Sequence, residues 1–168
     1  QPSTDSICVT SLKKFYDFTF ATIPSFLPRK FAEYEAISFN DIDKWVDKIF
    51  EEVNEMFDRG RSVLVIFNTI KELQVIQKGI PSGEYEDVYV YQRDYDAFEI
   101  DKLEPRKLIL ATNLAGRGTD IKLSEELEKS GGLHVIITYL PSNARIEEQA
   151  FGRASRAGDK GSGRLIIY

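Results

Sequence analysis

The sequence predicts an α/β fold, a mainly parallel sheet with helices on both faces, and three observations support it. Apolar runs of strand length, such as Ser62–Phe67 (SVLVIF), lack the alternation of a half-solvated strand, so both of their faces must be covered. These runs alternate with helical patterning instead of following one another directly. The chain has 168 residues and 42% hydrophobic content, enough to build one such core.

Residues 1–39, with Pro2, Pro24 and Pro28 and little periodicity, read as an irregular lead-in that packs on the domain edge or connects from a preceding domain. Residues 40–168 form the domain. Asn40 is placed to cap a helix whose Ile42, Trp45, Val46, Ile49, Phe50, Val53, Met56 and Phe57 follow three-and-four spacing, with Gly60 as its stop. SVLVIF follows as a strand, and Thr69 with Glu72 makes a capping box for the next helix. Further strands are expected at 87–91, 107–111, 133–138 and 164–168, with a helix at about 143–151.

Composition removes several kinds of chemistry. Cys8 is the sole cysteine and His134 the sole histidine, which excludes a disulfide framework, a Cys/His zinc site and any triad needing two such partners. No metal site is expected. His134 lies in an apolar strand and reads as a packed core residue, as does Trp45 on its helix. The apolar runs are too short to span a bilayer, and the start at Gln1 without a targeting pattern suggests an excised soluble piece. A net charge of -5 argues against a broad phosphate-binding surface. Charge is uneven, however. Eight acids fall between Glu84 and Glu104, a solvated surface in which Tyr85, Tyr89, Tyr91 and Tyr95 cover a sheet edge. Arg145, Arg153, Arg156, Lys160 and Arg164 lie between residues 141 and 168 against three acids, so an anion belongs at that end.

Ligands of open parallel sheets collect beyond the carboxyl ends of the strands. Two stretches qualify. In Ala111–Leu123 (ATNLAGRGTDIKL), Gly116 and Gly118 permit close backbone approach and Asp120 can accept from sugar hydroxyls or pair with a cation. In Gln149–Gly161 (QAFGRASRAGDKG), Arg153 and Arg156 lie three residues apart and, on a continuing helix, converge on one anion. Taken singly, the glycines also read as turn residues, Asp120 as a helix cap, and the arginines as a solvated face paired with Glu147 and Glu148.

Taken together, ATNLAGRGTDIKL, GGLHVIIT and QAFGRASRAG resemble three consecutive motifs of the SecA preprotein-translocase motor, in the same order and at similar spacing. Gln149, Gly152, Arg153 and Arg156 are similar to the Q-x-x-G-R-x-x-R motif of superfamily 2 helicases, and SVLVIFNTIKEL resembles the strand and helix that open their second lobe. The similarity is strong over 107–163, moderate over 42–73 and weak elsewhere. Ser155, Phe151 and Lys160 depart from the family pattern, and TYLPSNAR replaces its charged T-E-R-H-E-S-like segment.

The resemblance implies a RecA-like second nucleotide-binding lobe of a P-loop-NTPase-type motor. It lacks its own P-loop, because the sequence contains no G-x-x-x-x-G-K-[ST]. It implies ATP with Mg2+ as cofactor, the Mg2+ ligands lying on a partner lobe of the same parent chain. Arg153 and Arg156 then face the γ-phosphate as catalytic arginine fingers, Gly116, Gly118, Asp120, Gln149 and Gly152 bind the nucleotide, and Gln149 also helps order the motif. Thr112 and Arg117 couple lobe closure to the substrate side. The implied partners are unfolded polypeptide and a translocation channel, nucleic acid being disfavoured, and the implied location is cytoplasmic or peripheral to a membrane, an organelle remaining open. The fragment alone is expected to be inactive. The alternatives are a lobe of a superfamily 2 nucleic-acid helicase and a non-catalytic partner-binding module derived from one.

Overall fold

The strands are all parallel, and their order is not their order in sequence. The computed structural model describes residues 31–92, 100, 102–113, 121–140 and 161–168. Six strands lie side by side in the order β1 (Phe31–Glu33), β7 (Gly161–Ile167), β6 (Leu133–Ile137), β3 (Ser62–Phe67), β5 (Leu108–Thr112) and β4 (Val88–Tyr91). The short β2 (Ile37–Ser38) also pairs with β7. β3 is central, joined to β5 on one side and β6 on the other.

The seventeen-residue helix α1 (Ile42–Asp58) and the shorter α2 (Ile70–Gly79) cover one face. Trp45, Ile49, Val53, Met56, Leu73 and Ile76 bury there against Val63, Val65, Phe67, Leu108, Leu110, Ile136 and Ile166. Leu127 of the five-residue α3 (Glu125–Lys129) packs on the opposite face with Leu64, Ile66, Ile109, Val135, Ile137 and Leu165. Burial of both faces explains why β3, β5 and β6 are apolar at nearly every position.

The helix ends obey local chemistry. Asp41, not Asn40, is the N-cap of α1: its Oδ1 accepts from the amides of Asp43 at 2.9 Å and Lys44 at 3.5 Å. Both residue types cap well, and the register of the apolar stripe decides between them. Gly60 closes the helix as expected, at φ 76°, with its N–H bonded to Phe57 O at 2.9 Å and the Arg61 N–H to Met56 O at 2.9 Å. That pair of bonds is a Schellman motif. Thr69 caps α2, its hydroxyl accepting from the Glu72 amide at 3.3 Å. The Glu72 carboxylate returns to that hydroxyl at 3.2 Å, a variant of the capping box.

Four elements differ from the sequence reading. Residues 31–38, assigned to an irregular lead-in, contribute β1 and β2 to the outer edge of β7. β7 begins at Gly161 rather than Arg164, because Gly161, Ser162 and Gly163 pair with neighbours on both sides. α3, capped by the Ser124 hydroxyl on the Leu127 amide at 3.1 Å, is too short to show helical periodicity. The helix expected at about 143–151 lies outside the described residues.

Candidate functional site

The carboxyl ends of β5, β3 and β6 lie side by side and turn polar together. Ala111 and Thr112 end β5 opposite Ile66 and Phe67 of β3. The Asn113 amide donates to Phe67 O at 2.8 Å, and Thr138 donates to Ile66 O from its amide at 3.1 Å and its hydroxyl at 3.0 Å. The Asn113 side-chain amide reaches Asn68 Oδ1 at 3.5 Å. Thr112 is buried, and its Oγ1 has no hydrogen-bond partner among the described residues.

This edge is where the first candidate stretch begins: the chain passes from Thr112 and Asn113 into residues 114–120. Gly116, Arg117, Gly118 and Asp120 belong to that stretch, and Gln149, Gly152, Arg153 and Arg156 belong to residues 141–160; all lie outside the described residues. Of the expected site residues only Thr112 is described. Asn113 follows it, Asn68 follows its β3 partner Phe67, and Thr138 follows β6 on the far side of β3; the sequence reading singled out none of the three. Hydroxyls and amides suit sugar hydroxyls or a base edge. A triphosphate needs cations, and none of these four residues supplies one. No cluster of three or more metal-ligating side chains occurs among the described residues.

A second polar group lies at the opposite end of the sheet, inside the core. Glu52 of α1 and His134 of β6 are fully buried, and Glu52 Oε2 lies 2.7 Å from His134 Nε2. His134 Nδ1 is 2.6 Å from Ser162 Oγ, which accepts from Arg61 Nη2 at 2.7 Å. Arg61 Nε donates to Gly132 O at 3.1 Å. Arg164 Nε sits 3.0 Å from the same Glu52 oxygen, as an ion pair not aligned as a hydrogen bond. Lys48 Nζ stands 3.7 Å from Oε1.

The protons in this chain are determined by donor count. Arg61 has only donors, so it donates to Ser162; the Ser162 proton is then free to go to His134 Nδ1. With burial disfavouring the charged ring, we assign the neutral Nε2–H form, which donates to the Glu52 carboxylate. Burial is the largest influence on His134 and pushes it below its ordinary 6.5; the Glu52 contact opposes this, and the charges of Arg61 and Arg164 add to it. For Glu52 burial alone would raise the value, but the His134 hydrogen bond with the Arg164 and Lys48 charges hold it below 4.5. The pair is neutral imidazole and carboxylate. With every member of the Ser162–His134–Glu52 line buried, the group is structural, in accord with His134 as a core residue.

Sequence reading missed Glu52 and Arg61, and counted Arg164 in the basic end without naming Glu52 as its partner. A signal for Glu52 existed: it falls on the same stripe as Trp45, Ile49, Val53 and Met56, a carboxylate in the middle of an apolar face.

The parallel sheet, flanked by helices on both faces and with its polar edge at the strand carboxyl ends, defines an α/β lobe of RecA-like arrangement. The chain is SecA-like along nearly its whole length. It is 36% identical over 93% of its residues to protein translocase subunit SecA 2 of Rhodopirellula baltica, 24% of whose length is covered. It is 34% identical over 92% to protein translocase subunit SecA of Desulfotalea psychrophila, covering 19% of it. With SecA 2 of Lactobacillus johnsonii the identity is 36% over 90%, covering 20% of it. The chain thus spans about a fifth to a quarter of these relatives. No family model matches it. No helix among the described residues is long and apolar enough to cross a membrane.

Proposed function

We propose that the chain is the second nucleotide-binding lobe of a SecA-like motor, completing an ATP site whose P-loop and Mg2+ ligands lie on a separate lobe, and coupling ATP hydrolysis to movement of polypeptide. The observation that carries this reading is similarity to protein translocase subunits over 90–93% of the chain. It is supported by a lobe whose stretch ATNLAGRGTDIKL leaves the carboxyl end of β5, beside the centre of the sheet, where open α/β sheets receive ligands.

On this reading Thr112 and Arg117 relay lobe closure, and Gly116, Gly118 and Asp120 approach the ribose and phosphates. Gln149 and Gly152 bind the nucleotide, Gln149 also helping to order the second motif, and Arg153 and Arg156 meet the γ-phosphate. ATP supplies the phosphoryl group, and the protein's part is positioning and charge stabilisation. The parent acts in the cytoplasm or at a membrane surface, with unfolded polypeptide and a channel as partners.

The test is ATP hydrolysis by the full-length parent in the presence of unfolded polypeptide or of single-stranded RNA. Stimulation by polypeptide and indifference to RNA is expected. Stimulation by RNA that weakens steeply with salt, and none by polypeptide, would replace the translocase with a helicase.

A further inference from the structure

Residues 31–39 run along the outer edge of β7 as a narrow strap. Register pairs Phe31 with Gly161 and Ile37 with Ile166, six steps along the strap against five along β7, so the strap carries one extra residue between its two strands. The Tyr34 amide bonds to Gly163 O at 2.8 Å and the Phe39 amide to Ile167 O at 2.7 Å. Between these two bonds the strap is held by Arg164. Its Nη1 donates to Glu35 O at 3.0 Å, and its guanidinium lies over the Tyr34 ring, 5.2 Å from the centroid. Tyr34 in turn covers His134, with ring centroids 5.3 Å apart.

Arg164 and His134 compete for one atom. Glu52 Oε2 lies 2.7 Å from His134 Nε2 and 3.0 Å from Arg164 Nε. We propose that residues 31–39 form a proton-released strap: an imidazolium at His134 claims Glu52 Oε2, repels Arg164, and so frees the Glu35 and Tyr34 contacts that bind the strap to β7.

The charged groups around His134 make that proton consequential. α1 presents Glu52, with Lys48 behind it; Arg61 lies at the foot of β3; β7 presents Arg164; the strap presents Tyr34, whose hydroxyl accepts from Arg59 at 3.3 Å. Glu52 is the one carboxylate described in contact with the imidazole, and two guanidiniums already lean on it directly or through Ser162. A proton on Nδ1 also turns that nitrogen from acceptor to donor, leaving the Ser162 hydroxyl proton without its acceptor. The strap yields first because among the described residues it pairs with β7 alone, whereas β3, β5 and β6 pair on both sides. Release uncovers the outer edge of β7 and admits water to His134.

The experiment is amide hydrogen exchange of the whole chain from about pH 7.5 to about pH 5, corrected for intrinsic exchange, with the imidazole proton resonance of His134, the sole histidine, followed in parallel. Protection of the peptide covering 31–39 should fall about tenfold per pH unit within the window and stay well below that of the β3 peptide at every pH, because one proton is linked to opening of the strap whereas β3 exchanges only by global unfolding. His134→Gln should remove this dependence. Arg164→Met, which deletes the clasp and spares the imidazole, should leave the strap poorly protected at both ends of the range. Equal protection of strap and β3 across the range, a strap that stays protected while His134 titrates, a His134 that stays neutral to the point of global unfolding, or a strap pH dependence retained in His134→Gln would each overturn the proposal.

Discussion

Glu52 and His134, 82 residues apart in sequence, meet in the core at 2.7 Å with neither side chain exposed to water. One comes from the helix that covers the sheet and the other from the sheet itself, so the bond pins α1 to β6. Charge inside the core is affordable only because it is paired and hydrogen-bonded. That makes the fold sensitive to protons.

Stability should therefore fall with acid in two stages. His134 is held below 6.5 in the fold, so the unfolded chain binds the extra proton; the contribution is present in full above about pH 6.5 and is lost as pH falls below it. Glu52 is held below 4.5, so its contribution is present above that value and is lost on further acidification. The first stage should cost about 1.4 kcal/mol per pH unit. Urea unfolding midpoints at successive pH values measure it, and a flat profile between pH 7.5 and pH 5 would contradict the neutral assignment of His134.

Glu52→Ala should destabilise the fold by about 3–5 kcal/mol, since it leaves His134 Nε2–H without an acceptor and Arg164 without its counter-ion. Glu52→Gln keeps an acceptor and should cost less. A double-mutant cycle with His134→Gln should return a coupling energy of about 1–3 kcal/mol. Independent, additive effects would mean that the short contact carries no energy of its own.

At Gly60 the backbone is left-handed, φ 76°, and an added Cβ would stand 2.9 Å from Ser130 Oγ. Gly60→Ala should cost about 1–2 kcal/mol, chiefly from the backbone strain, since the Ser130 side chain can rotate away. Ser130→Gly in the same background should recover little of it. Thermal unfolding of the two variants decides: full rescue by Ser130→Gly would move the cost from backbone to contact.

How much of this was legible follows from where the physical signal is local. Helix α1 announced itself because Trp45, Ile49, Val53 and Met56 repeat at helical spacing, and SVLVIF because a strand covered on both faces has no polar positions. β1 and β2 were hidden because three-residue and two-residue strands carry no period, and their pairing is decided by an edge of β7 lying some 130 residues away. Gly161-Ser162-Gly163 fell outside the strand expected at 164–168, yet small residues fit where neighbours press from both sides. The Glu52 network was half legible: a carboxylate on an apolar stripe signals a buried partner, but sequence does not say that the partner is His134. The candidate site rests on motif: Thr112 ends β5, and the other residues of the two motifs lie outside the described residues.

The arginines give the sharpest test of the proposed nucleotide site. In the full-length parent, Arg156→Ala should lower kcat by about a thousandfold or more, because an arginine finger stabilises charge that develops as the phosphoryl group transfers. Nucleotide affinity should change far less, since that charge is not yet present in the bound ground state. Arg153→Ala should behave similarly, and the double substitution should cost much less than the product of the two, as expected of groups acting on one phosphate as a unit. Lys160→Ala, beyond the motif, controls for simple loss of positive charge. Neither arginine is assigned a part in the core, so unfolding temperatures must stay close to that of the parent for the kinetics to count. An unchanged kcat in a folded Arg156→Ala parent would remove Gln149, Gly152, Arg153 and Arg156 from the site together, leaving the edge beyond Thr112 to find its phosphate-binding cations elsewhere.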